Sequence, residues 1–142
     1  MANYQKHDIG NLNDLGQHVF EPAEAPIRLE GKVFLKEVLG LTSMEASINK
    51  DAPGTGVNFF HRHHNNEELY IFIGGKGEMM IDDERISVQE GTAVRVKPEA
   101  SRSWWNTGSE DLYYVVIQAP HDGFKGETFK DGELLEGTVP WR

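Results

Sequence analysis

The stretch His61-Arg62-His63-His64-Asn65-Asn66-Glu67-Glu68 holds the residue types most able to do chemistry. On a β-strand alternate residues share a face, so His61 and His63 point the same way, about 6.5 Å apart. Two imidazoles so placed can converge on one ion at about 2.0–2.1 Å from each nitrogen. The four residues after His63 allow a tight turn into the next strand, which would return Glu68 to the pair. Two imidazoles and one carboxylate on one side of an ion leave open positions for water, substrate or oxygen. One divalent transition ion is therefore expected, with zinc, iron, manganese and nickel all suited to the donor set. Glu67 is the alternative carboxylate if the turn is one residue tighter. His64 reads as a loop residue, with support of a ligand as its alternative role.

These residues need a β framework, and the surrounding sequence supplies one. Short apolar runs follow one another from Lys32 onward: Val33–Leu39, Met44–Ile48, Val57–His63, Glu68–Ile73, Glu78–Ile81, Arg85–Val88, Ala93–Val96, Ser101–Trp105 and Leu112–Ala119. Turn residues such as Gly74-Gly75-Lys76-Gly77 and Asp82-Asp83-Glu84 separate them. Strands of this length and spacing predict an all-β sandwich or barrel over residues 32–119. Residues 1–31, polar and holding Pro22 and Pro26, read as an N-terminal arm with one short turn of helix. Residues 120–142 read as a tail in which Asp131-Gly132 could turn a short hairpin. In Glu68–Ile73 both faces are apolar, with Tyr70 and Phe72 on one and Leu69, Ile71 and Ile73 on the other. Something must cover the outer face, and a second subunit aided by the arm is expected, making a homodimer.

Composition bounds the rest. The 142 residues suit one domain, and 38% hydrophobic content can fill one core. A formal net charge of -9, with no cluster of Lys or Arg, repels phosphate backbones and sets nucleic acid aside. No apolar run is long enough to span a membrane, and Met1–Gly10 lacks the apolar core of a signal peptide. The absence of cysteine excludes disulfides and thiolate ligands and fits a cytoplasmic setting.

The motif that joins these elements resembles that of the cupins. That family's first motif runs Gly, five residues, His-x-His, three or four residues, Glu, six residues, Gly. His61, His63, Glu68 and Gly75 match it, while Gly56 sits one place too close to His61. In the second motif, counting from Gly91 and back from Asn106, the metal-binding histidine position holds Arg102. The resemblance implies a double-stranded β-helix, a jelly-roll barrel, and is nearly silent as to function. Arg102 cannot ligate a metal, because its guanidinium offers only donors. On a regular strand Arg102 and Trp104 face inward, giving a cavity with a metal, an arginine and an aromatic wall of Phe59, Tyr70, Phe72 and Trp104. That set favours a small anionic substrate clamped by the arginine fork. The other reading of Arg102 is an internal ion pair with Glu68 or Glu78. Two functions follow: a metal-dependent enzyme of oxygenase or isomerase type acting on a small anion, or a ligand-binding or sensing module with the same pocket. In the enzyme a metal-bound water or Tyr113/Tyr114 would move protons.

Overall fold

A computed structural model describes residues 2–141. The strands are β1 (Val19–Phe20), β2 (Leu29–Glu30), β3 (Lys32–Phe34), β4 (Glu45–Asp51), β5 (Asn66–Gly74), β6 (Lys76–Ile81), β7 (Glu84–Gln89), β8 (Ala93–Val96), β9 (Arg102–Trp105) and β10 (Leu112–Pro120). They form a five-stranded sheet in the order β3-β4-β10-β5-β8, a three-stranded sheet β7-β6-β9, and a β1–β2 ribbon. All pairings are antiparallel. The two sheets face each other across one core in which Tyr70, Phe72, Val96, Tyr114 and Val116 meet Met79, Val88 and Trp104. Tyr70 and Trp104 pack edge to face with centroids 5.0 Å apart. This is the all-β sandwich that the strand spacing predicts, and the jelly-roll that the cupin resemblance implies fits it.

Alternation works cleanly in β5, where Glu68, Tyr70 and Phe72 are buried and the residues between them are not. The turns obey their chemistry. Gly75 has φ +84, and a side chain there would strike the Asp111 carbonyl. Asp82-Asp83 make a two-residue connection between β6 and β7, with Ile81 opposite Glu84.

Three segments differ from the sequence reading. The run Val33–Leu39 leaves the sheet after Phe34 and forms α1 (Lys36–Leu39). Glu45 Oε1 accepts from the amides of Leu35, Lys36 and Ala46, satisfying donors at that helix start, and Gly40 at φ +67 ends it. The stretch Val57–His63 is extended but is not a strand. It meets β9 through isolated bridges at Gly56–Trp105 and His61–Arg102 and a hydrogen bond from Ser103 Oγ to Val57 O, with no continuous ladder. The expected hairpin at Asp131-Gly132 is absent: past Pro120 the described residues form turns only, Gly132 N donating to Phe129 O. A lone two-stranded ribbon has no apolar face to rest on there.

Residues 12–30 of the N-terminal stretch lie against the sandwich rather than free of it. Leu15, in a 3₁₀ turn over Leu12–Gln17, is fully buried, and Lys50 and Tyr113 hold Asn13 by hydrogen bonds of 2.8 Å. This cover is partial, since Leu69 and Ile73 on the outer face of β5 remain 36% and 42% exposed.

Beneath the core runs a buried polar chain: Trp104 Nε1 donates to Tyr114 Oη at 2.6 Å, and Tyr114 Oη donates to Asp51 Oδ2 at 3.0 Å. Burial pushes the Asp51 carboxyl up to about 6, outweighing the Tyr114 hydrogen bond and the charge of Lys32 that pull it down. A raised value means stability is present below the ordinary Asp pKa and lost as pH rises through about 6. Asp51→Asn keeps an acceptor for Tyr114 and removes the charge. It is expected to stabilise the fold on the order of 2 kcal/mol at pH 8 and not at pH 4, as urea denaturation at the two pH values would record.

Candidate metal centre

The site is assembled at the seam between the sheets. His61 and His63 lie on the extended segment fastened to β9, through His61 N to Arg102 O at 3.2 Å and Arg102 N to His61 O at 3.0 Å. His63 N donates to Pro98 O at 2.9 Å. Glu68 comes from β5 in the other sheet. The turn at His64-Asn65 therefore carries the chain across the sandwich, in place of the hairpin read from the sequence. His64 is exposed, and Glu67 lies near His121, 3.9 Å away, so neither joins the site.

One ligand atom from each of His61, His63 and Glu68 falls within 4.8 Å of the others. His63 Nε2 lies 3.2 Å from Glu68 Oε2, and His61 Nε2 lies 3.8 Å from Oε1. Ligands held at about 2.1 Å by one ion stand roughly 3.0–3.4 Å apart, so these separations suit a shared ion with small adjustment. His63 Nε2 is buried without a hydrogen-bond partner, a costly state that an ion beside it relieves. Burial and the nearby charges of His61 and Arg102 lower the His63 pKa against the pull of Glu68, keeping the imidazole neutral as ligation requires. Burial alone would raise Glu68, but the facing His61, the Tyr70 hydrogen bond, and the charges of His63 and Arg102 bring it down to about 2. The carboxylate is thus ionised and ready to bind a cation.

Arg102 overturns the anion-clamp expectation. It is fully buried, and its Nη atoms donate to backbone carbonyls: Ala100 at 2.8 Å, Lys97 at 3.1 Å, and His61 and Pro98 at 3.4 Å. Its Nε lies 3.3 Å from Glu68 Oε1, close enough for an ion pair and off the axis of a hydrogen bond. The fork is spent on the backbone and does not reach the cavity, so the internal ion pair is the arrangement found. Tyr70 Oη donates to the same Oε1 at 2.6 Å. Tyr70 and Arg102 together fix that oxygen and leave Oε2 facing His63, which sets the carboxylate for the ion.

The triad opens into a cavity of ≈ 260 Å³. Phe59 and Trp104 line it, as expected; Tyr70 and Phe72 do not, because they are fully buried in the core behind it. The rest of the apolar wall comes from Phe20, Ile27 and Leu29 of the N-terminal stretch and from Phe34, Val57 and Val116. The sequence reading missed Lys32, Glu45, Ser47 and Gln118, which supply polar atoms on the sheet side. The signal was present in β4, where Glu45, Ser47, Asn49 and Asp51 put a polar residue at every second position of a strand. Tyr114 is buried with its pKa raised and its hydroxyl on Asp51, while Tyr113 bonds Asn13 on the outer face. Neither is placed to move protons at the triad.

Comparison with known proteins agrees with this architecture. The family described as Cupin domain matches residues 49–118. The solved structure of a cupin protein from Bacteroides fragilis is 32% identical with a TM-score of 0.78, covering 96% of this chain and 100% of that one. The chain belongs to the cupin superfamily. A putative sugar phosphate isomerase from Acidithiobacillus ferrooxidans is 27% identical with a TM-score of 0.57, over 62% of this chain and 57% of that one. An uncharacterized protein of Methanocaldococcus jannaschii is 28% identical over 76 residues, 54% of this chain; the match spans 57% of that relative's length. Among the described residues no helix is long and apolar enough to cross a membrane.

Removing Arg102 would leave Glu68 as a buried carboxylate without its cation, together with several unbonded carbonyls. Arg102→Met is expected to cost about 3–5 kcal/mol in urea denaturation. Arg102→Lys should not restore it, because one ammonium cannot span the same set of acceptors.

Proposed function

We propose that this cupin is a metal-dependent protein that binds a small organic molecule at one divalent transition ion held by His61, His63 and Glu68, and acts on it as an enzyme of oxygenase or isomerase type. The observation that carries the reading is the convergence of two imidazoles and an ionised carboxylate at the edge of a largely apolar cavity. Three protein ligands leave coordination positions for a substrate oxygen, and an ion so held supplies Lewis acidity or, if iron, a site for oxygen. The protein's own part is to fix Glu68 through Tyr70 and Arg102, to exclude water with the arm and aromatic residues, and to orient the ligand. The likeness to a putative sugar phosphate isomerase supports the isomerase branch.

The second reading, ligand binding without turnover, has its own support. The tyrosines considered as proton shuttles are committed elsewhere, and Glu45 Oε1 is occupied by three backbone amides. Untagged protein is expected to carry one divalent ion per chain by elemental analysis. His61→Ala/His63→Ala should lose it while the β circular dichroism spectrum survives, and full metal content in that variant would place the ion elsewhere.

The protein is also proposed to act as a homodimer through the outer face of the five-stranded sheet. Register places Ile71 beside Val115 and Ile48, and Leu69 beside Ile117 and Ala46, so apolar residues run across three strands. Light scattering at micromolar concentration should give twice the 16.0 kDa chain mass, and Leu69→Glu/Ile71→Glu should give one chain mass with the fold retained.

A further inference from the structure

The metal triad occupies one end of the cavity, and a cation that the proposed function leaves idle occupies the other. Lys32 opens β3 and its side chain lines the cavity. Its Nζ donates to Asn49 Oδ1 at 2.9 Å and to Ser47 Oγ at 3.3 Å, and stands 5.0 Å from the centroid of the Phe34 ring. An ammonium has three donors. Two are spent here on neutral oxygens, and Lys32 forms no ion pair among the described residues. Glu68, Asp51 and Glu45 act on it only through space. Burial is the larger influence and brings the amine down to about 8, so it remains mostly protonated at neutral pH. A largely buried ammonium with a spare donor and no adjacent carboxylate lacks the partner that such groups ordinarily have.

The register gives the distance between the two ends. Lys32 lies in the inward row with Asn49, Tyr114 and Phe72, whereas Glu68 lies in the row with Gln118 and Glu45. Lys32 and Glu68 are three strands apart, about 14 Å across the sheet at the usual strand spacing, and two inward rows apart along it. Their side chains approach each other over a cavity whose wall between them is mostly aliphatic and aromatic. The charges also favour an anion. With a divalent ion bound, Lys32 adds one positive charge, Glu45 and the ionised Asp51 each remove one, and Arg102 balances Glu68, leaving about one net positive charge around a poorly screened space.

Resting on the metal reading above, we infer that Lys32 is the specificity residue of the cavity, pairing with the carboxylate of a small organic acid whose apolar middle crosses the cavity and whose far oxygen faces the metal. A cavity of about 150 Å³ holds benzene, so ≈ 260 Å³ takes a molecule of about ten non-hydrogen atoms. The ligand class is therefore a short-chain carboxylate with a hydroxyl or carbonyl oxygen at its other end. The anionic ligand thus returns with a different cation from the one the sequence suggested.

The test uses zinc-loaded full-length protein and calorimetric titration with 6-hydroxyhexanoate, with 6-hydroxyhexanamide as the uncharged control. Wild type should bind the acid at least tenfold more tightly than the amide. Lys32→Gln keeps a donor for Ser47 and Asn49 but drops the charge, and should erase that preference with zinc content unchanged. Lys32→Arg should restore most of it. The same titrations on His61→Ala/His63→Ala separate the two readings: an acid preference that persists there and depends on Lys32 upholds Lys32 even if the metal reading fails. If wild type does not prefer the acid, or if Lys32→Gln prefers it as wild type does, the inference is overturned.

Discussion

A carboxylate buried between two β-sheets is tolerated only where opposite charge and hydrogen bonds replace the water it has lost. Glu68 has both. Arg102 on the opposing sheet lies 3.3 Å from Oε1, and Tyr70 on the same strand donates to that oxygen at 2.6 Å. Arg102 is in turn tied to the carbonyls of Lys97, Pro98, Ala100 and His61. One ion pair therefore joins β5 to β9, holds the loop before β9, and secures the backbone of the histidine segment. Because His61 and His63 share no sheet ladder with Glu68, this pair and the core packing of Tyr70 on Trp104 are what relate the two halves of the metal site.

The same pair changes the electrostatics of the centre. Where the family motif has a fourth ligand, this chain has a cation that cannot bind metal and repels one. The ion would be held by three ligands with an arginine behind the carboxylate, a weaker site than four neutral or anionic donors make. In exchange, Glu68 is kept ionised far below neutral pH and aimed by one oxygen. The three donors line the cavity, so an ion held there would take a further ligand from that side.

Legibility in the sequence followed physical locality. The strands from Glu68 to Ala119 alternate or carry firm turn signals, and they lie in the structure within a residue or two of their reading. The triad was legible because His-x-His and a downstream Glu need only short-range geometry to converge. The partner of Arg102 was legible only as one of two alternatives, since both have the same inward-facing residue and differ in how the 97–101 loop presents its carbonyls. Val57–His63 misled because its apolar alternation matches a strand, whereas its pairing is decided by where β9 happens to lie. The N-terminal stretch misled in the other direction. Phe20, Ile27 and Leu29 look sparse among polar residues, yet together they line the cavity.

The residues passed over most easily are polar ones on inward positions, and they bear most on function. Ser47, Asn49 and Asp51 on β4 are buried, Glu45 is partly so, and Lys32 and Gln118 join them on neighbouring strands. A sandwich built only for stability would fill those positions with aliphatic side chains, since each buried polar group costs free energy that its hydrogen bonds only offset. Here local hydrogen bonds satisfy Asn49 and Glu45, while the Lys32 ammonium and the triad keep unspent capacity at opposite ends of one space. Departures from the apolar pattern that cluster around a cavity, and that leave donors and acceptors facing into it, mark where stability was given up for a ligand. That pattern, more than membership of a fold used for many chemistries, locates the functional end of this protein.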